Sequence, residues 1–305
     1  MISIIILNWN GREFLERCIP SVKNAVNSYG GPCEIIVVDN ASSDDSIEYI
    51  KNNFPGIRIE ALDRNYGFAK GMNEGVRRSR GEIIIGLNND TEVEEGFVRY
   101  ILRDFDAGKQ VFAVAAKMLL FDRKTLNFGR AVGTFRFGVF RRYFEEPEKP
   151  CNCLYACGGA FAARKNIFLE LGGFDEDMIN FWEDTDLCYR AWKKGYKTIY
   201  EPKALVYHKM HGSFEKVCGE KGVRLLSGEN YFLFAIKNFH DNGLFLRHLF
   251  VLPFLFISGF VIFKPYFSIG MLKSARRWKF FLKKRELEKA EGIFGDRQVL
   301  AMSNR

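Results

Sequence analysis

Apolar runs and polar turns alternate through the first third of the chain. Ile2 to Leu7 is an apolar run broken only by Ser3 and ending in Asn8-Trp-Asn-Gly11, which predicts a buried strand followed by a polar turn. Phe14, Cys18, Val22, Ala25 and Val26 recur at helical spacing, so a helix is expected to about Tyr29. Glu34-Ile-Ile-Val-Val-Asp39 reads as a second buried strand. The capping-rich stretch Asn40-Ala-Ser-Ser-Asp44 follows it, and a helix is expected from Ile47 to Asn52. Ile57 to Ala61 is a third strand, 67–80 a helix rich in small residues, and Glu82 to Leu87 a fourth strand. Strands that alternate with helices imply a mostly parallel, right-handed doubly wound sheet. Its strand ends gather Asn8, Asn10, Asp39, Asn40 and Asn88 to Asp90 along one edge, where such sheets hold ligands.

Beyond Val111 the pattern loosens. Val111 to Leu120 predicts another strand, 121–150 a loop-rich insertion, and Ala156 to Ala163 a strand with Gly158-Gly159 at its centre. A glycine pair within a strand marks either a close backbone approach to a ligand or a simple bulge. Ile167 to Leu171 is expected to be a short helix closed by Gly172-Gly173. Leu249 to Phe263 carries no charge, but as a helix it falls short of a ~30 Å hydrocarbon core, and Pro253 and Gly259 invite a kink. A re-entrant or interface-lying segment is the expectation, with a true span and a soluble helical hairpin as alternatives.

The net charge of +8 over 305 residues suits anionic partners, and its placement narrows them. Lys264, Lys273, Arg276, Arg277, Lys279, Lys283, Lys284 and Arg285 follow directly after the apolar segment, the pattern of contact with a membrane surface on its cytoplasmic face. Arg136, Arg141 and Arg142 alternate with Phe135, Phe137 and Phe140, a pattern also met in single-strand binders. Nothing else in the chain supports nucleic acid, and lipid-borne phosphates are the preferred partner of those arginines. Seven cysteines without a regular framework argue for a reducing compartment, and Cys151, Cys153 and Cys157 lack a fourth ligand at zinc-like spacing. The N-terminal run has no basic leader and reads as a strand, not a signal peptide. No glycine-rich dinucleotide fingerprint or P-loop follows the first strand, which disfavours nicotinamide chemistry and ATP hydrolysis by that route.

Two acidic clusters carry the candidate chemistry: Leu87-Asn-Asn-Asp90 and Phe181-Trp-Glu-Asp-Thr-Asp-Leu-Cys-Tyr-Arg190. Each sets carboxylates beside apolar residues, where an unpaired charge is costly unless something binds it. One cluster to hold a cation and one to supply a base is a minimal kit for moving a group off a phosphate ester.

Six segments, in order, resemble the family 2 glycosyltransferases of the GT-A fold: Ser3 to Gly11, Glu34 to Asp44, Asn65 to Asn73, Leu87 to Asp90, Gly172 to Glu176 and Trp182 to Leu187. The likeness covers roughly residues 1–215 and is nearest the branch often labelled rhamnosyltransferase-like. It implies a GT-A type nucleotide-sugar-binding domain over 1–215, with a mostly parallel sheet, followed by a helical, membrane-associating region over 216–305. It also implies an inverting transfer from a nucleotide-sugar, with UDP- or dTDP-sugars favoured, to a lipid-linked or oligosaccharide acceptor. The family's Asp-x-Asp turn corresponds here to Asn88-Asn89-Asp90. Asp90 is then the ligand of Mg²⁺ or Mn²⁺, and Asn88 is left to contact the ribose or a coordinated water. Asp90 as the cap of a helix beginning near Thr91 is the structural alternative.

The resemblance further implies that Asp39 reads the base, flanked by Asn40 and the turn Asn8 to Asn10. Asn65, Gly67, Lys70 and Asn73 cover the nucleotide. Asp184 is the expected general base, with Glu183 next, while Asp186 faces either the helix start or an arginine. His208 completes the metal's coordination, with His211 in reserve. Two other readings stay open. A sugar-phosphate nucleotidyltransferase would want a glycine-rich basic turn where Asn8 to Gly11 stands. A catalytically weakened, membrane-associated scaffold would explain the thinned acidic triplet but not Glu183-Asp184.

Overall fold

The computed structural model describes residues 1–209, 213–261 and 265–305. The strands are β1 (Ile2–Asn8), β2 (Cys33–Asp39), β3 (Arg58–Ala61), β4 (Ile83–Asn88), β5 (Thr91–Val93), β6 (Val111–Leu120), β7 (Leu126–Phe128), β8 (Arg130–Arg136), β9 (Val139–Glu145), β10 (Cys151–Asn152), β11 (Ala160–Arg164) and β12 (Lys197–His208). Interleaved with them are α1 (Arg12–Tyr29), α2 (Ser46–Asn53), α3 (Gly67–Arg78), α4 (Phe97–Arg103), α5 (Lys165–Glu170) and α6 (Glu183–Lys193). Five helices close the chain: α7 (Ser213–Asn238), α8 (Asn242–Val261), α9 (Tyr266–Ala275), α10 (Trp278–Glu291) and α11 (Asp296–Ser303).

Among the described residues one ten-stranded mixed sheet runs β10-β12-β6-β11-β4-β1-β2-β3, with β5 added beside β12 and β7 beside β6. The half that begins the chain is parallel, β3-β2-β1-β4, as the strand–helix alternation requires. β11 lies antiparallel between β4 and β6. Register follows from burial. On β1, Ile4 and Ile6 face the side covered by α1 and α4, while Ile5 faces α3, so a slip of one residue would turn each set outward. α3 is rich in small residues because it rides directly on the sheet. A Cβ on Gly75 would stand 2.6 Å from Ile5 and 2.8 Å from Val38.

Pairing of Asn8 with Asp39 and of Leu7 with Asn88 aligns the polar strand ends along one edge, as the sequence pattern requires. Three expectations are corrected. The stretch 121–150 is not loop-rich: β8 and β9 form a hairpin turning at Phe137-Gly138, both with positive φ. The strand expected from Ala156 begins only at Ala160, so Gly158-Gly159 precede it instead of occupying its centre. Thr91 starts a strand pairing with β12, not a helix, which removes helix capping as the reason for Asp90.

Tyr231, Phe234, Phe281 and Val299 from the C-terminal helices, and Phe239 from the link after α7, share a core cluster with the sheet and α6. The apolar segment after Arg247 lies in α8 as far as Val261, while Ile262, Phe263 and Lys264 lie outside the described residues, as does His211.

Candidate active site

Strand ends and one helix start meet at a cleft of about 270 Å³ whose walls include Asn88, Arg142, Tyr155, Glu183, Asp184 and His208. Each side chain is there for a local reason. β5 pairs antiparallel with β12 so that His208 lies opposite Thr91, and the backbone N–H of Lys209 donates to the Asp90 carbonyl at 3.1 Å. Asp90 and His208, far apart in sequence, are thereby brought to 3.3 Å between Oδ1 and Nε2.

The pair has the character of an incomplete cation site. Asp90 Oδ1 is buried and takes no hydrogen bond from any described residue. His208 Nδ1 lies 3.1 Å from the side-chain oxygen of Asn127, an acceptor, so Nδ1 donates there and Nε2 is the nitrogen turned toward Asp90. A lone pair and a carboxylate oxygen facing one another are unfavourable until a cation or proton stands between them. An oxygen-preferring divalent cation that draws its remaining ligands from phosphate and water fits this donor set. No group of three or more His, Cys, Asp or Glu residues gathers among the described residues, so the protein offers only part of a coordination shell.

The same cleft is lined, beside His208, by the N-terminus of α6. Phe181 and Trp182 both adopt left-handed backbone conformations just before it, with φ of 67° and 71°. For bulky residues such geometry is costly, and it recurs where a site must be aimed. It places Glu183 and Asp184 in the first turn, where the exposed helix N–H groups favour negative charge. Asp184 accepts from the Thr185 N–H at 2.6 Å and from the Gly158 N–H at 3.2 Å. Glycine is needed at 158 because a Cβ there would meet the Phe68 ring at 2.8 Å. Glu183 is different. It is buried, its Oε2 takes no hydrogen bond from the described residues, and burial together with the Asp184 charge pushes its carboxyl well above the usual range. Asp184, by contrast, has its oxygens held by two backbone N–H groups.

Arg142 closes the cleft from β9. Its guanidinium lies 3.7 Å from the Trp182 ring centre, bonds to the Thr185 hydroxyl, and stands 3.9 Å from Asp184. Asp186 turns away from the cleft. Burial alone would raise its carboxyl, but Lys237 and Arg190 outweigh that and hold it below the usual range. Of the two roles open to Asp186, it takes the one facing an arginine.

The sheet edge beside this cleft carries the remaining sequence candidates. Asn8 is buried, donates to Asp39 at 2.9 Å and accepts from Asn89 at 2.7 Å. Asn89 thus points inward, not into the cleft. Asp39 is fully buried and accepts from Asn8 and from both the hydroxyl and the N–H of Ser42. Asn10 lies at the surface and accepts from the Ser43 N–H at 2.7 Å. Asn40 bridges to the next segment, accepting from Tyr66 N–H and donating to the Gly67 carbonyl. Asn65 accepts from the Gly67 N–H and, with Trp9 and Asn180, lines a second hollow of about 190 Å³. Lys70 stands over the Tyr66 ring at 4.2 Å and 4.0 Å from Glu176. Asn73 is turned inward, holding both the N–H and the carbonyl of Phe174.

Three contributors escaped the sequence reading. Ser42 lay within the capping-rich stretch, where its bond to Asp39 was one possibility among several. Asn127 orients His208 from a segment without any motif. Lys237 holds Asp186 from a helix whose apolar pattern hid it.

An α/β sheet with its polar edge, a half-built cation site and a paired acidic helix start define a GT-A type nucleotide-sugar-binding fold. The chain belongs to glycosyl transferase family 2, whose sequence profile matches residues 3–172, more than half of it. It is 25% identical over 231 residues to N-acetylgalactosaminyltransferase 6 of Drosophila melanogaster, a match covering 69% of this chain and 34% of that protein. It is also 25% identical over 178 residues to the poly-beta-1,6-N-acetyl-D-glucosamine synthase of Staphylococcus epidermidis, covering 57% of this chain and 42% of the relative. The chain thus spans less than half the length of these curated relatives. The crystal structure of GalNAc-T7 with UDP, GalNAc and Mn²⁺ superposes with a TM-score of 0.62 at 19% identity, over 95% of this chain and 57% of that one.

Proposed function

We propose that the protein is an inverting glycosyltransferase that moves a sugar from a nucleoside-diphosphate donor to a hydroxyl of a lipid-linked glycan acceptor. The observation carrying this reading is the meeting of two half-sites at one cleft: His208, paired with Asp90, and Glu183 with Asp184. The nucleotide lies along the edge from Asn10 to Asn65. Asn8 and Asn40 hold the strand ends there, and Asp39 offers its carboxylate to a pyrimidine N3–H when the Ser42 turn opens. Lys70 and Asn88 face the phosphates and ribose. Asp90 and His208 would hold Mg²⁺ or Mn²⁺, which when bound would supply positive charge to offset that of the leaving diphosphate. Asp184 takes the proton of the acceptor hydroxyl while its oxygen bonds to the anomeric carbon and the bond to the diphosphate oxygen breaks; one displacement inverts the configuration. Glu183, protonated beside it, donates a hydrogen bond without competing for that proton. Relatives named for N-acetylgalactosamine and N-acetylglucosamine support a UDP-linked N-acetylhexosamine ahead of a dTDP-linked rhamnose.

Thermal unfolding of the full chain with UDP, dTDP and GDP, each with and without Mn²⁺, tests the reading. A ligand that binds only the folded protein must raise its melting temperature. UDP is expected to do so, and more strongly with metal. No shift with any nucleotide at saturation would favour the scaffold reading instead.

A further inference from the structure

Helix α8 is two-faced in a way the catalytic cleft does not explain. Leu244 and His248 are buried against the protein, and His248 Nδ1 meets the Gly138 carbonyl at 2.8 Å. The opposite face shows Leu246, Phe250, Phe254 and Ile257 at 63%, 74%, 62% and 63% exposure, spaced as a single helical stripe. Beside it the tip of the β8–β9 hairpin holds Phe137 at 93% exposure, the most exposed large apolar side chain described. Tip and helix are one surface: a Cβ on Gly138 would stand 2.5 Å from the Arg247 carbonyl, and Phe137, Arg247 and Phe250 line a common groove. Arg136, Arg141 and Arg247 are exposed around it, with no acidic residue on the hairpin between Arg136 and Arg142.

We propose that α8 and the Phe137 tip are a docking face for an anionic lipid bilayer, in which α8 lies in the plane of the interface with only its outer face in lipid. α8 is long and apolar enough to cross a membrane, but the burial of Leu244 and His248 against the protein and its packing on α9 favour a helix lying along the interface. Apolar stripe and flanking arginines together match the boundary between acyl chains and anionic headgroups. β9 then connects the bilayer to the chemistry. From Phe137 to Arg142 the extended strand covers on the order of 15 Å, which is how far along β9 the cleft-lining Arg142 lies from the docking tip. This last step rests on the transfer reading; the docking does not.

Flotation of the full chain with vesicles of phosphatidylcholine alone, or with a third phosphatidylglycerol, tests it. Tighter binding to the anionic vesicles, weakened by salt, is expected. Phe250→Glu with Phe254→Glu should weaken vesicle binding about tenfold or more, since two aromatic side chains leave the interface, and so should Phe137→Asp. All three positions are exposed, so melting temperature and its UDP-dependent shift should hold, separating failure of docking from failure of the donor site. Release of the parent from vesicles by alkaline carbonate distinguishes lying from spanning. Variants that float like the parent, a parent that floats with neither vesicle, or a carbonate-resistant parent would overturn the proposal. So would a parent dimer that the variants render monomeric without vesicle binding, because the stripe would then be a contact between copies.

Discussion

Replacing Lys237 by methionine tests whether buried charge fixes the helix that presents Asp184. Lys237 Nζ lies 2.7 Å from Asp175 and 2.9 Å from Asp186, with all three side chains almost wholly buried. Methionine keeps the volume and removes the charge. Asp186 retains Arg190 at 2.9 Å and Asn238 at 2.8 Å, and Asp175 retains Lys284, so neither carboxylate is left bare. The cost should then fall at the low end for a broken buried pair, about 3 kcal/mol. For a chain of this size that is a drop of roughly 5–10 °C in melting temperature at pH 7. The pH dependence carries its own sign. Burial raises both acids, but Lys237 together with Lys284 at Asp175, and with Arg190 at Asp186, outweighs it, so their folded-state values are lowered. Groups of that kind contribute stability that is present above their unfolded value, about 4, and lost as pH falls through the folded one. The gap between parent and variant should therefore be full at pH 7 and narrow below about pH 4. Calorimetry of both proteins across that range is the assay. A Lys237→Met protein melting within a degree of the parent at pH 7 would refute the reasoning.

Glu183→Gln should melt at or above the parent at pH 7, because the folded protein holds Glu183 protonated at a cost. That gain should vanish below about pH 4, where the unfolded chain is protonated too. Its transfer rate should stay close to the parent's, and a large loss would mean that Glu183 works ionised. Asn127→Ala removes the oxygen that fixes the His208 tautomer and should weaken Mn²⁺ binding about tenfold, read as a shift in the metal concentration that stabilises the UDP complex. Unchanged metal dependence would separate His208 from the cation.

The parallel half of the sheet was legible because its strands are buried on both faces and end in polar turns, a signal that needs no long-range information. The hairpin at Phe137 was missed. Its arginines and aromatics alternate, but the outward side is charged or solvent-exposed, so the run lacks the apolar density by which β1 and β2 announce themselves. Gly158 was placed inside a strand because a glycine pair leaves apolar periodicity unbroken; only the Asp184 carboxylate, distant in sequence, shows why the chain turns there. Asp90, Glu183 and Asp184 stood out as charge among apolar residues. Their partners did not: Asn127 and Lys237 are defined by register and helix packing that no local pattern encodes. Asn73 and Asn89, read as ligand contacts, spend their polar atoms inside the protein.

Measuring sugar transfer and UDP–Mn²⁺ stabilisation side by side in Asp184→Asn puts the catalytic assignment at greatest risk. Asparagine preserves the shape and the hydrogen bond from Gly158 while removing the proton acceptor. Transfer should fall by about a hundredfold or more, the usual contribution of a general base, with the nucleotide-dependent melting shift retained. Full transfer by this variant would contradict a base at Asp184 and return the role to another group in the cleft.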